Sequence, residues 1–154
     1  MKKLFLTMLV VLVSMSAMAQ EGKKGIGVNL LYGSKIENIG IGVKGQYYAT
    51  DVIRVEANAN YFMKKNDLSM WDINLNGHYL IPTGTNMAVY PLVGVGLTNW
   101  HTSTLSNKVK VAINLGAGYQ FDIADDFAVN VEGKYQIIDS YNQFVGSIGA
   151  VYKF

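Results

Sequence analysis

The chain has no cysteine and, in 154 residues, only two prolines, Pro82 and Pro91. Without cysteine there are no disulfides, no thiolate metal sites and no cysteine to carry a lipid anchor. Charged side chains make up 16% of the sequence, and histidine occurs twice, as His78 and His101. Beyond the N-terminal stretch no apolar run approaches the ~20 residues a membrane-spanning helix needs. Half of the composition is nevertheless apolar, with sixteen glycines and ten tyrosines. A chain this apolar, with only short alternating runs, must either wrap a soluble core or turn its apolar side to lipid.

The N-terminus carries Lys2 and Lys3, an apolar run from Leu4 to Val13, and then Ala17-Met18-Ala19. This is the layout of a secretory signal peptide over 1–19, cleaved after Ala19 to leave a single domain over 20–154. Loss of Lys2 and Lys3 reduces 13 basic side chains to 11, equal to the 11 acidic ones. A neutral mature chain speaks against nucleic acid as a partner, because counterion release requires a basic surface.

Eight alternating runs follow, each bounded by turn-forming residues. They cover about Lys24 to Gly33, Asn38 to Tyr48, Val52 to Met63, Met70 to Ile81, Ala88 to Asn99, Lys108 to Phe121, Phe127 to Ile137 and Phe144 to Phe154. In the third, Ile53, Val55, Ala57, Ala59 and Tyr61 alternate with Arg54, Glu56, Asn58 and Asn60. The fifth is the least decisive, because Tyr90 and Leu92 leave both faces apolar; Val89, Pro91, Val93, Val95 and Leu97 are assigned outward. The last closes the chain on an aromatic, with Phe144, Ile148, Tyr152 and Phe154 on one face and Val145, Ser147, Val151 and Lys153 on the other.

Aromatic spacing decides which face is outside. Trp71 and Tyr79, Phe127 and Tyr135, and Phe144 and Tyr152 are each eight residues apart on an apolar face. At ~3.3 Å per residue and a tilt near 40°, eight residues rise about 20 Å, close to the ~25 Å apolar band between the aromatic girdles of membrane barrels. The expected fold is all-β, an eight-stranded antiparallel up-and-down transmembrane β-barrel.

The eight dyad runs, the segment Tyr90-Pro-Leu-Val-Gly-Val-Gly96, the leader, and the ending Gly149-Ala-Val-Tyr-Lys-Phe154 together resemble the small eight-stranded outer-membrane barrels of the OmpX/Ail-like and OmpA-type group. That resemblance implies a place in the bacterial outer membrane and contact with lipid and lipopolysaccharide. It also implies recognition by the barrel-assembly machinery through the strand ending in Phe154, a monomeric state, and a structural or surface-interaction role. Some barrels of this size are lipid A deacylases with a His-x-Ser pair, which makes His101 and Ser103 an alternative, deacylase-like pair. The neighbouring positions Val109, Val111 and Ile113 offer no carboxylate to orient the histidine. No catalytic, cofactor or metal set is otherwise expected. Gly40-Ile-Gly-Val-Lys-Gly45 matches a dinucleotide fingerprint literally but lies inside a strand, where no helix N-terminus follows to hold a pyrophosphate. Glycine here, as at Gly94, Gly96, Gly116 and Gly118, makes room in a narrow lumen.

An even strand count puts both mature termini in the periplasm. Outer loops fall at about Ser34 to Glu37, Lys64 to Leu68, Trp100 to Asn107 and Ile138 to Gln143, and inner turns at Ala49 to Asp51, Pro82 to Met87 and Asp122 to Asp126. Lys64, Lys65 and Lys108 are candidates to meet lipid phosphates. A three-residue turn at Ala49 to Asp51 sets Gln46 opposite Arg54 and Lys44 opposite Glu56. A five-residue loop at Lys64 to Leu68 sets Glu56 opposite Asn76, Arg54 opposite His78 and Asn58 opposite Asn74. Such a belt, with Tyr48, Arg54, Phe62 and His78 filling the centre, makes the lumen a plug and not an open pore.

Overall fold

The computed structural model describes residues 22–154. The signal peptide expected at Met1 to Ala19 lies outside them. Nine strand segments are present: β1 Lys24–Gly33, β2 Asn38–Tyr48, β3 Ile53–Lys65, β4 Leu68–Tyr79, β5 Ile81–Gly84, β6 Met87–Thr102, β7 Leu105–Ala124, β8 Phe127–Ile138 and β9 Gln143–Lys153. Sequential neighbours pair antiparallel, β1 closes on β9 and β4 closes on β6. β5 continues the line of β4 past a break at Leu80, and both pair with β6, so nine segments make eight walls of one closed barrel. Closure removes the unpaired edges that an open sheet would expose.

The alternation lands as the residue pattern requires. Outward residues are apolar and uncovered: Val28 is 60% exposed, Leu30 64% and Val111 65%. Inward residues are polar and covered, Arg54 and Asp72 completely. A soluble barrel has the opposite arrangement, so the exterior is suited to hydrocarbon. The outward aromatics form two belts. Phe127 lies opposite Tyr152 near the termini, and Tyr135 opposite Phe144 at the other end, where Tyr61 also faces Trp71. In the fifth run Val93, Val95 and Leu97 face out while Tyr90 and Leu92 are buried inside.

The turns depart from expectation in two ways. At the end away from the termini the loops are shorter than Lys64 to Leu68 and Trp100 to Asn107 suggest. β3 and β4 meet over Asn66 and Asp67 alone, at φ 50° and 63°. These left-handed values match the mirror-image hairpin turn that follows strand twist, and Asn and Asp tolerate them. β6 and β7 likewise continue to a two-residue turn at Ser103 and Thr104. Backbone pairing does not stop where the apolar band stops, so strands of 16 and 20 residues carry this hairpin beyond it. At the other end the strand Ile81–Gly84 extends into the expected Pro82 to Met87 turn, and Asp122 to Asp126 contracts to Asp125 and Asp126.

The second departure is in register. The turn after β2 is four residues long, with Ala49 N donating to Ile53 O at 3.0 Å. The Thr50 hydroxyl accepts from the amides of Val52 and Ile53, at 3.2 and 2.9 Å, and props it open. Tyr48 therefore pairs with Arg54, Gln46 with Glu56, and Lys44 with Asn58, two residues from the expected register. A shift of two keeps every side chain on its face. Between β3 and β4 the expected pairs Glu56 with Asn76, Arg54 with His78 and Asn58 with Asn74 are all present. A bulge between Phe62 and Lys65 takes up the shorter turn without altering them.

Candidate functional site

The lumen is built in layers from inward residues of all eight walls. Nearest the termini, Leu80, Tyr90 and Leu92 form a small apolar floor with Tyr48 against it. Above it Arg54 of β3 donates from Nε to His78 Nδ1 at 3.0 Å, from one terminal nitrogen to Tyr48 OH at 3.3 Å, and also to Gln120 Oε1. Its guanidinium lies over the Tyr90 ring at 4.6 Å, and His78 stacks on the same ring at 4.7 Å. Planar stacking of this kind suits arginine more than lysine.

The next layer holds two carboxylates. Glu56 accepts from Gln46 Nε2 at 2.7 Å and Asn58 Nδ2 at 2.8 Å, and lies 3.8 Å from the Lys44 ammonium. Lys44 and Glu56 thus meet as expected, although diagonally rather than face to face. Glu132 accepts from the Tyr90 hydroxyl at 3.0 Å. Higher still is a layer of amides around Asp72, whose Oδ1 accepts from Asn60 and Asn74, both at 2.7 Å. Asn114 bridges Asn74 and Asn76, and Gln143 donates to Gln136 at 2.7 Å. At the hairpin end Leu31, Phe62, Met70, Trp100, Ile138 and Val145 close the mouth, joined by Ile36 from the β1–β2 loop. Polar groups occupy the middle and apolar groups seal both ends.

One donor atom from each of Glu56, His78 and Glu132 lies within 4.8 Å of the others, the only such trio among the described residues. Its chemistry does not suit a cation. Arginine can only donate, so His78 Nδ1 must accept and the ring proton sits on Nε2. Lys44 and Arg54 already supply positive charge there. The trio is part of an ion-pair and hydrogen-bond network.

The surroundings of His101 and Ser103 differ from those of a catalytic triad. His101 is exposed near the end of β6, and its Nδ1 meets Asn107 Oδ1 across the hairpin. Ser103 is exposed in the turn. The partner of the histidine is an amide, where a triad requires a carboxylate. Tyr90, by contrast, is a hub whose role its apolar surroundings in the sequence conceal. The signal was its inward parity opposite Gly118, where an added Cβ would strike the Tyr90 ring.

The two ends differ in charge. The hairpin end carries Lys35, Lys64, Lys65, Lys108 and Lys110 against Glu37, Asp67 and Asp139. Lys64 pairs with Asp67 at 3.0 Å, Lys65 with Glu37 at 3.8 Å and Lys110 with Asp139 at 3.5 Å. The other end carries Asp51, Asp122, Asp125 and Asp126 against Lys23, Lys24 and Lys153.

Comparison with known proteins agrees with this architecture. The family model for the outer membrane protein beta-barrel domain matches residues 5–154. The chain belongs to that family. This outer-membrane barrel therefore resides in the bacterial outer membrane, and its apolar exterior faces lipid. The N-terminal barrel domain of Pseudomonas aeruginosa OprF superposes with a TM-score of 0.72 at 14% identity, covering 87% of this chain and 100% of that one. Ail, the attachment invasion locus protein of Yersinia pestis, gives 0.62 at 18% identity over 88% and 100%. Neisserial surface protein A gives 0.65 at 14% identity over 86% and 97%. These superpositions show a shared fold. No curated protein matches by sequence.

Proposed function

We propose that this barrel is a structural and surface-interaction element of the outer membrane, closed to ions, with its hairpin end outward and its termini in the periplasm. The observation that carries the reading is the filled lumen: with the interior occupied by Arg54, Tyr90, Lys44, Phe62 and Met70, the surfaces left to act are the lipid-facing wall and the short hairpins. The lysine excess at the hairpin end favours anionic partners, through charge-assisted bonds to the phosphates of lipopolysaccharide or the sulfates of host glycans. Ail of Yersinia pestis has been solved with a heparin analogue, sucrose octasulfate, which makes that compound a suitable probe. In this reading the chain is exported by a signal cleaved after Ala19, assembled through the strand ending in Phe154, monomeric, and not an enzyme. A lipid A deacylase centred on His101 and Ser103 is the competing reading, and the amide partner of His101 counts against it.

Planar-bilayer recording of the refolded protein, beside binding of lipopolysaccharide and sucrose octasulfate, tests the proposal. The expected result is no steady conductance, and binding that Lys35→Glu, Lys64→Glu and Lys108→Glu weaken together. Stable, reproducible single-channel steps would refute the closed lumen, and release of acyl chains that His101→Ala abolishes would favour the enzyme.

A further inference from the structure

We propose that a groove in the lipid-facing wall seats an acyl chain of a phosphorylated glycolipid of the outer leaflet, with its headgroup against the β3–β4 hairpin. This rests on the lipopolysaccharide contact suggested above and specifies where it occurs. The wall formed by β9, β1 and β2 is thin. Its inward positions include Gly27, Gly42 and Gly149, where an added Cβ would meet the Ala150 carbonyl and Val151 at Gly27 and the Asn60 side chain at Gly42. A Cβ on Gly149 would lie 2.5 Å from both Asn29 Oδ1 and Asn130 Oδ1, and 2.8 Å from Lys44 Nζ. The outward positions nearby are small as well, Val43, Ala59 and Ala150. The register sets Val28, Val43 and Ala59 side by side, with Ala150 next to Val28.

The outer side of this wall is a groove of ≈ 990 Å³, floored by Val28, Val43, Ala59 and Ala150 and rimmed by Tyr61 and Trp71. Ala59 points outward yet is only 8% exposed, because the rim overhangs it. Asn29 and Asn60 border the groove only from the inward face of their strands. An extended peptide lying there would bring backbone N–H and C=O groups into hydrocarbon with nothing to satisfy them. An acyl chain has no polar group below its head.

The rim shows where the head belongs. Tyr61 and Trp71 face each other across the β3–β4 hairpin, and beyond them the hairpin carries Lys64 and Lys65. Both lysines are paired, and Lys65 also donates to the Glu37 carbonyl at 2.8 Å, but Asp67 and Glu37 are surface carboxylates, 68% and 71% exposed. Exposed pairs of this kind are weak. A phosphate accepting from two ammonium groups displaces them readily.

Trp71 and Trp100 are the two tryptophans, and Trp100 is buried in the lumen cap. Trp100→Phe therefore leaves a single reporter on the groove rim. In this variant, refolded in phosphatidylcholine vesicles with brominated chains, Trp71 fluorescence is expected to be quenched. Unbrominated lipid A is expected to restore it, saturating at one lipid A per barrel. Recovery is expected to be lost when Ala59→Leu or, farther from the reporter, Ala150→Leu fills the floor. Recovery no greater than that given by unbrominated phosphatidylcholine, or unchanged in both filled variants, would overturn the assignment. So would recovery on raising the protein-to-lipid ratio without lipid A, which would identify a second barrel as the occupant. Capture of lipid A with the affinity-tagged barrel after the same vesicles are dissolved in mild detergent, with and without Lys64→Glu and Lys65→Glu, separates the two levels of the argument. Lysine-dependent binding without Trp71 recovery rejects the groove alone, whereas no binding at all rejects the lipopolysaccharide contact with it.

Discussion

Replacing Glu56 with alanine should be among the most damaging single changes to this barrel, and the geometry sets its size. The carboxylate is 1% exposed and holds three partners: Gln46 at 2.7 Å, Asn58 at 2.8 Å and Lys44 at 3.8 Å. Lys44 is itself 1% exposed, and after the substitution its ammonium loses its 3.8 Å ion-pair partner and keeps one hydrogen bond, to Asn130 Oδ1 at 3.1 Å. Stranding a buried charge in this way typically costs about 3–5 kcal/mol. With a urea slope of ~2 kcal/mol/M, the unfolding midpoint in vesicles should fall by roughly 1.5–2.5 M. Glu37→Ala removes an exposed pair with Lys65, and exposed pairs contribute at most about 1 kcal/mol. Replacing both partners, Lys44→Met with Glu56→Leu, should recover most of the loss, since a buried ion pair and an apolar pair of similar volume are often close in stability. The assay is urea titration of the reconstituted barrel, with the folded fraction read from heat-modifiable gel migration. Equal midpoints for Glu56→Ala and Glu37→Ala, or a double variant worse than Glu56→Ala alone, would refute the claim that the lumen is a paired and closed interior.

Gly118→Val should destabilise the barrel by forcing the Tyr90 ring off its place between Arg54 and Glu132, and Tyr90→Ala in the same chain should relieve part of that loss in the same titration. Phe154→Asp should block membrane assembly while leaving export intact, so unfolded protein should accumulate in the periplasm; normal folded protein at the outer membrane would count against the role given to that side chain. An epitope placed between Ser103 and Thr104 should be labelled on intact cells, and labelling only after the outer membrane is broken would reverse the orientation.

The fold was legible in the residues because a two-residue period with one apolar face is all that a barrel wall requires, and the interval from Phe144 to Tyr152 identified that face as the outer one. Strands β1 and β2 end where the alternation ends. Turns were read less well. Lys64 to Leu68 and Trp100 to Asn107 look like loops by composition, yet pairing carries on through polar residues once the neighbouring strand is in place. The β2–β3 register turned on one hydroxyl, Thr50, and nothing in the alternation distinguishes registers that differ by two. In the lumen, Arg54 with His78 followed from parity and count, whereas Tyr90 did not, because the fifth run is apolar on both faces and its inward aromatic looks like packing until Arg54, Asn130 and Glu132 are seen around it.

The polar layers also bear on how the chain closes. Some of their bonds lie within one hairpin, as Gln46 with Glu56 and Asn60 with Asp72 do, but others span long stretches of sequence: 66 residues from Arg54 to Gln120, 64 from Asp72 to Gln136, 86 from Lys44 to Asn130. These three cannot form within a single hairpin, so their loop-closure entropy is met only late in folding. Until β9 reaches β1, the charged side chains must remain hydrated, and a partly zipped sheet keeps a wet face that hydrocarbon rejects. Expulsion of that water and insertion of the last strand are then one event. A barrel missing its last strand would hold that wet face against hydrocarbon, and the pairing of β9 with β1 is the contact that covers it.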